Sequence, residues 1–260
     1  MLMKLVLALL IISFGAGCAT MRARSESAGR GYWPSEQRWS RAAREALRDP
    51  GTWAPAAGAA VIAVGDWDEK IAEWAVEQTP VFGSPANARS WSDDLRTSAH
   101  VGMLISSLAV PPGDGPWESR LGRVVVDHGA GLTTGIVTGL LKDGSERVRP
   151  DRSDDESFPS AHSSMAFSYA SAGARNLEDL SLSNSTRRSL RAGFLTVAAA
   201  TGWARVEAGV HYPADVLFGA ALGHFIGRVI HDAFLGSEQK FDVALRIDGD
   251  TSGVALKWSF

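Results

Sequence analysis

The stretch RVEAGVHYPAD, Arg205 to Asp215, leads into a run with helical character, VLFGAALGHFIGRVI. Pro213 favours the first turn of a helix, because its missing N–H is no loss there. We therefore expect His211 to lie just before a helix N-terminus and Asp215 to lie in the first turn. That end of a helix carries unpaired N–H groups and a partial positive charge, so it suits an anion.

A histidine in this place, with a carboxylate four residues later, is suited to attack phosphorus. The carboxylate of Asp215 would fix the tautomer of His211 and stabilise the cation that forms on attack. The stretch by itself leaves a second interpretation open, in which Asp215 is only a helix-start acid and His211 is a loop residue.

Two upstream stretches favour the phosphorus chemistry. Residues 142–150, KDGSERVRP, end an apolar helical segment with one lysine and two arginines. In residues 158–164, FPSAHSS, a proline precedes Ser160, which is a good N-cap, so His162 is expected in the first turn of a second helix. Cations, histidines and helix N-termini together can hold a phosphoryl group, whose transfer depends mostly on positioning and charge stabilisation.

The three stretches resemble the signature of the type-2 phosphatidic acid phosphatase superfamily, which also contains bacterial class A acid phosphatases and vanadium haloperoxidases. Its motifs are Lys, six residues, Arg-Pro; then Pro-Ser-Gly-His; then Ser-Arg, five residues, His, three residues, Asp. The resemblance covers roughly residues 94–236. The matching positions are Lys142, Arg149 and Pro150, then Pro159, Ser160 and His162, then Arg205, His211 and Asp215. Ala161 replaces the glycine of the second motif, and Ala204 replaces the serine of the third.

The resemblance implies an all-α bundle whose site lies where helix ends converge, and hydrolysis in two steps without a metal or other cofactor. His211 would attack phosphorus and form a phosphohistidine, with Asp215 hydrogen-bonded to its other nitrogen. His162 would protonate the leaving oxygen and then act as base toward water. His211 would start neutral and His162 protonated. The phosphate would be held by Lys142, Arg149, Ser160, Ala161 and Arg205.

Other functions and several substrates stay open. A vanadium haloperoxidase would use the same cradle for vanadate with His211 as ligand, but nothing in the sequence adds a halide site. A non-enzymatic envelope lipoprotein would be expected to lose polar motif residues, and all seven key polar positions are intact. The substrate is either a lipid phosphate or diphosphate, which a membrane tether modestly favours, or a small soluble phosphoester cleaved by a broad-specificity acid phosphatase.

The N-terminus, MLMKLVLALLIISFGAGCAT, has the pattern of an export signal over residues 1–17. Cys18 is the only cysteine, so the chain forms no internal disulfide, and we expect it to carry a lipid after cleavage. A simple secretory signal with an incidental cysteine is the alternative. Residues 18–36 would then be a lipidated tether that holds the protein on the periplasmic side of a bacterial envelope. Ala19 after the cysteine points to the outer membrane.

Composition predicts a single domain, which the resemblance identifies as a helical phosphatase domain over residues 37–236. The 260 residues are 45% hydrophobic, enough for one core, and the net charge of −3 argues against a nucleic-acid partner. After the signal no unbroken apolar run reaches about 18 residues, so the chain resembles the soluble branch of the superfamily. Residues 53–65, WAPAAGAAVIAVG, are predicted to form a buried core helix.

Several charged residues outside the motifs have open roles. Asp66 and Asp68 are expected to cap the helix that follows them. The acidic loop 151–157 is either a lid or rim over the site or a solvated connection. Asp127 and His128 either support the site or form a structural pair. The last group, His224, Arg228 and His231, falls on no motif position and is interpreted as structural.

The last part of the chain, residues 237–260, changes character. Apolar and polar residues alternate over 241–247 and again over 254–260, with glycines between them. This pattern on both sides of a turn predicts a β-hairpin. Two strands cannot close a barrel, so the hairpin is expected to pack on the helical body or to meet a partner or a membrane surface.

Overall fold

A computed structural model of the chain describes residues 33–65 and 67–236 with their side chains, and the backbone of 241–248 and 251–258. The export signal 1–17, Cys18, most of the tether 18–36 and the cap residue Asp66 lie outside the described residues, so these features remain predictions.

The described residues form eight α-helices, which confirms the all-α fold class. A short 3₁₀ turn, Leu177–Asp179, follows the sixth. The helices are α1 Glu36–Arg48, α2 Pro50–Val64, α3 Trp67–Gln78, α4 Pro85–Ala109, α5 Arg120–Asp143, α6 Ala161–Asn176, α7 Asn184–Glu207 and α8 Pro213–Leu235.

The two helix starts on which the site was predicted lie where the sequence places them. Helix α8 begins at Pro213, and α6 begins at Ala161 after the N-cap Ser160. Serine hydroxyls cap two further helices. Ser84 caps α4, which begins at Pro85, and Ser183 caps α7. Helix α5 extends to Asp143, so Lys142 belongs to its last turn.

Close packing of α6 on α8 forms the centre of the bundle. Glycines spaced four apart on α8 face serines spaced four apart on α6. The pairs are Gly219 with Ser160, Gly223 with Ser164 and Gly227 with Ser168. A Cβ atom added to the first glycine would lie 2.8 Å from the Ser160 carbonyl oxygen, and one added to the third would lie 2.7 Å from that of Ser168. Only glycine allows this approach, and it brings the N-termini of α6 and α8 side by side.

Large and small apolar residues are distributed in an unusual way. Most buried apolar residues are alanines, whereas many leucines, isoleucines and valines are exposed. In soluble proteins the large aliphatic residues are the ones most often buried. Residues more than half exposed include Val61, Val64, Ile105, Leu121, Val125, Leu132, Ile136, Leu140 and Leu195.

The prediction of a buried core helix over residues 53–65 is wrong. Helix α2 forms there, but Ala59 is its only buried residue, and Val64 is 85% exposed. An apolar run shows that a helix avoids charge, but it does not show whether protein or another medium covers it.

Two helices of the described chain, α5 and α8, are long and apolar enough to cross a membrane, as judged by length and composition. Neither helix forms an unbroken apolar run of about 18 residues, because polar residues interrupt both. In α5 the interrupting Asp127 is fully buried. On the exposed side, the row Leu121, Val125, Leu132, Ile136 and Leu140 contains no charged residue.

The charged residues away from the motifs contact one another instead of the predicted site. Asp127 lies 2.7 Å from Nδ1 of His231, while His128 lies 3.0 Å from His100. Asp127 precedes Lys142 by 15 residues on α5, which is about 22 Å along a helix. These contacts agree with a structural role for Asp127, His128 and His231. His224 and Arg228 both bind Asp49, at the junction of α1 and α2.

At the C-terminal end the backbone of β1, Phe241–Asp248, pairs antiparallel with β2, Thr251–Trp258. The register sets Phe241 opposite Trp258 and Asp248 opposite Thr251. The side chains of this segment lie outside the described residues. The contacts predicted for the hairpin therefore remain predictions.

Candidate active site

Four helix ends meet at one end of the bundle and carry the motif residues. They are the C-terminal ends of α5 and α7 and the N-terminal ends of α6 and α8. The amide of Ser160 donates to the carbonyl oxygen of Asp215 at 3.1 Å, which joins the second and third motifs directly. Gly209, with φ of 71°, allows the sharp turn between α7 and α8.

His211 is 2% exposed, and its Nδ1 atom lies 2.6 Å from the carbonyl oxygen of Ser157. A carbonyl oxygen can only accept a hydrogen bond, so Nδ1 carries the proton and Nε2 has the free lone pair. This is the tautomer that a nucleophile acting through Nε2 needs.

The predicted hydrogen bond between Asp215 and His211 is wrong. Oδ2 of Asp215 is 3.9 Å from Nδ1 of His211, because Ser157 lies between the two side chains. The Ser157 hydroxyl donates to Oδ2 of Asp215 at 2.6 Å, and the Ser157 carbonyl accepts from His211. Ser157 therefore links the carboxylate to the histidine.

Asp215 is fully buried and is held by groups that the motif analysis missed. The Tyr212 amide donates to its Oδ2 at 2.9 Å, and Arg147 forms an ion pair with its Oδ1. Arg147 also binds Asp68 at 2.7 Å, and Asp68 accepts from the Ala214 amide at 2.8 Å. Asp68 lies within α3 and is buried, so its predicted role as the cap of that helix is wrong.

Burial, together with the charge of the site, keeps His211 neutral. Burial lowers the pKa of His211 well below its usual value, and the cations Arg205, Lys142 and Arg149 lower it further. Burial raises the pKa of Asp215, opposed by the hydrogen bond from Ser157 and the charge of Arg147.

Of the three cations predicted to bind phosphate, Arg149 repels the other two. Burial, and then the charge of Arg149, lowers the pKa of Lys142, and the same two causes lower the pKa of Arg205 to about 10. Arg205 is 7% exposed, and its Nε has no hydrogen-bond partner among the residues described. A bound anion would relieve this repulsion and supply that partner.

The acidic loop 151–157 contacts two of these cations. Asp154 forms an ion pair with Arg149, and the carbonyl oxygen of Glu156 accepts from Lys142. Arg149 also donates to the carbonyl oxygen of Val210 at 3.3 Å. These contacts favour a rim over a merely solvated loop.

His162 lies in the first turn of α6, and its Nε2 atom is 2.7 Å from Oδ1 of Asp93 on α4. Burial lowers the pKa of His162 to about 4, and the charge of Arg205 contributes. In the ligand-free chain His162 is therefore neutral at pH 7, which differs from the predicted protonated starting state. The bound phosphate, being negative, would oppose both effects.

The second motif also forms the start of α6. Ser160 is fully buried, and its hydroxyl accepts from the Ser163 amide at 3.5 Å. Its own amide is already used by Asp215, as described above. The amides of Ala161 and His162 lie in the first turn, where helices leave N–H groups without intrahelical partners.

A cavity of about 390 Å³ adjoins the site but does not contain its histidines. It shares Arg149 and Tyr212 with the site, and its other wall is formed by α3. The acidic residues of the wall are Glu69, Glu73 and Glu77. Negative walls do not suit a phosphate, so the anion position is assigned to the helix ends and not to this cavity. Within the described ranges, no group of three His, Cys, Asp or Glu residues is placed to hold a metal ion.

Comparisons with known proteins agree with the site. Residues 128–237 match the family model of the PAP2 superfamily. A solved structure of the first transmembrane PAP2 type phosphatidylglycerolphosphate phosphatase from Bacillus subtilis is similar at 25% identity and a TM-score of 0.50, over 66% of this chain and 88% of that one. No curated protein matches the chain. All nine motif positions between Lys142 and Asp215 fall inside residues 128–237, the part of the chain that is similar to the PAP2 superfamily.

Proposed function

We propose that this phosphatase removes the phosphate of a lipid at a membrane surface, through a phosphohistidine on His211. The observation that carries the choice of a lipid is the exposure of large aliphatic side chains around an alanine-rich core.

The first chemical step uses the free lone pair of His211. Nε2 attacks phosphorus, the bond from phosphorus to the ester oxygen breaks, and His162 gives a proton to that oxygen. Water then attacks the phosphohistidine and passes a proton to His162, and phosphate leaves. Lys142, Arg149 and Arg205 stabilise the charge on the non-bridging oxygens in both steps.

The exposed row on α5 has the length of a bilayer core. From Leu121 to Leu140 it spans roughly 28 Å at 1.5 Å per residue, close to the roughly 30 Å thickness of the hydrocarbon. In lipid, helices pack through small residues while large apolar residues face outward. The glycine and serine rows of α6 and α8 and the exposed row of α5 fit that arrangement. The small residues between the helices and the exposed apolar row support association of the helical domain itself with a membrane.

Three of the exposed tryptophans lie on α3 and α4, the helices that supply Asp68 and Ser92 to the site. Trp67, Trp74 and Trp91 are 63%, 50% and 52% exposed. Trp67 precedes Asp68, and Trp91 precedes Ser92, both of which contact motif or supporting residues of the site. Tryptophan favours the boundary between water and hydrocarbon, so the mouth of the site would lie at the level of lipid headgroups. A lipid on Cys18 would add a second attachment, on the periplasmic side of the outer membrane.

The test uses the full chain in detergent with a chelator present. Phosphate release is followed from a detergent-dispersed lipid phosphate and from a small soluble phosphomonoester, with His211→Ala as the control. We expect a higher kcat/KM for the lipid. Equal or better turnover of the soluble ester would make the protein a broad-specificity phosphatase. No release from either would reject the proposal, and vanadate-dependent bromination would be tested next.

A further inference from the structure

His162 has a partner that belongs to no motif. Asp93, whose Oδ1 receives its Nε2–H bond at 2.7 Å, lies on α4, before the residues matched by the family model. The side chains of Asp93 and His162 are 56% and 22% exposed, so the pair lies at the open side of the site. The hydrogen bond from His162 lowers the pKa of Asp93, so its carboxylate is ionised and can only accept. Nε2 therefore carries the proton of this bond.

The same turn of α4 supports a phosphate-binding cation. Ser92 Oγ accepts from Arg205 at 3.1 Å inside the protein. Arg96, one turn later, lies 3.7 Å from Asp93. This turn therefore holds two groups of the site, His162 and Arg205, which come from two different helices.

Resting on the function proposed above, we propose that Asp93 is a positioning residue that orients His162 and fixes Nε2 as its permanently protonated nitrogen. The other nitrogen, Nδ1, has no hydrogen-bond partner in the part of the chain that the structure describes. Nδ1 is then the atom that exchanges protons with the leaving oxygen and later with water.

The proton balance follows from this assignment. Before the first step both nitrogens of His162 are protonated, and Asp93 compensates the charge. Nδ1 gives its proton to the leaving oxygen as the new bond from phosphorus to Nε2 of His211 forms. Neutral His162 keeps its Nε2–H bond to Asp93 and presents the Nδ1 lone pair to water. In the second step the proton of water returns to Nδ1, the bond from phosphorus to His211 breaks, and the first state is restored.

The charges around His162 make this support necessary. Three charged groups act on it, namely Asp93 and Arg96 from α4 and Arg205 from α7. Burial and the two arginines lower the pKa of His162, and only Asp93 raises it. Removing this carboxylate would lower the pKa further, so the acid form would be lost at a lower pH.

The first experiment compares Asp93→Asn with Asp94→Asn. Asp94 is the next residue on the same helix and is exposed, so the control removes the same charge nearby. We measure kcat/KM for an alkyl phosphate, whose leaving oxygen needs a proton, and for 4-nitrophenyl phosphate, whose leaving oxygen does not. We expect Asp93→Asn to lose about tenfold or more on the alkyl ester and less than about threefold on the nitrophenyl ester. Asp94→Asn should stay near wild type on both, and Asp93→Glu should restore part of the loss.

The second experiment does not depend on turnover. The His162 ring is titrated by ¹⁵N NMR in the ligand-free full chain, and its signal is assigned by its loss in His162→Asn. We expect its pKa to fall by about one unit in Asp93→Asn, and the alkaline limb of the alkyl-ester pH profile to move the same way. If the protein hydrolysed nothing, this titration would still test the pair.

Three results would overturn the assignment. Equal losses on both esters would mean that Asp93 has a structural role. An unchanged titration of His162 would mean that the carboxylate does not control its proton. A gain of turnover in Asp93→Asn would mean that the carboxylate blocks the position of the leaving group.

Discussion

The carbonyl oxygen of Ser157 lies 2.6 Å from Nδ1 of His211, and the hydroxyl of the same serine lies 2.6 Å from Asp215. One residue therefore fixes the tautomer of His211 with its backbone and connects this histidine to a buried carboxylate with its side chain. A substitution of Ser157 removes its hydroxyl but keeps its backbone carbonyl, so the contributions of the two groups can be measured separately.

Ser157→Ala should lower kcat by about tenfold, because it removes one hydrogen bond to a charged group while the carbonyl still holds His211. Asp215→Asn should lower kcat by a similar or larger factor. Because Asp215 acts through Ser157, the double variant should be hardly slower than the slower single variant. Steady-state kinetics of the three variants measure this. Factors that multiply in the double variant would show that Asp215 acts independently of Ser157.

His211→Ala should lose at least about 10³-fold in kcat, since it removes the nucleophile. Brief reaction with ³²P-labelled substrate and an alkaline quench should leave an acid-labile label on the wild type and none on the variant. His128→Ala is a suitable control, because His128 contacts His100 and lies away from the site. The control should keep its label. Label retained by His211→Ala would assign the covalent intermediate to another residue.

Arg147→Met should destabilise the fold, because it leaves the buried carboxylates of Asp68 and Asp215 without their shared cation. Breaking a buried ion pair from one side costs about 3 kcal/mol or more. Denaturant unfolding in detergent measures the change in the free energy of unfolding. Arg120→Met is the matched control, since Arg120 is exposed at the start of α5. Equal stability of the two variants would contradict the bridging role of Arg147.

Cys18→Ser should still sediment with membranes and should need detergent for release, if the exposed aliphatic faces contact lipid. Adding Leu132→Lys and Ile136→Lys should shift this variant toward the soluble fraction, because a lysine near the bilayer centre costs about 3 kcal/mol. Fractionation followed by immunoblotting measures both. Complete release of Cys18→Ser into the soluble fraction would mean that the lipid tether alone holds the protein.

The sequence predicted where the motif residues lie relative to the helices. His162 and His211 lie at helix starts that a cap residue and a proline indicated, and Lys142 lies at the end of an apolar helix. The partners of these residues were missed. Asp93 and His162 are 69 positions apart, and nothing in the local pattern tells one surface acid of α4 from the next.

Burial was the other property that the sequence did not reveal. A helix without charged residues, such as α2, has the same sequence pattern whether it packs in a protein core or faces lipid. The prediction that Val61 and Val64 are buried in the core was therefore wrong. Asp68 was misjudged for a related reason. It has the position of a cap, but its carboxylate is taken by Arg147 and the Ala214 amide from elsewhere in the chain.

Residues 151–157, which belong to the loop between α5 and α6, make two kinds of contact. Asp154 and the carbonyl of Glu156 bind cations that a phosphate would use, and Ser157 holds His211. Substrate that draws Arg149 and Lys142 away from this loop would also pull on the support of His211. Entry of a substrate would then be coupled to the orientation of His211, so an empty site and a loaded one would differ in how firmly this histidine is held.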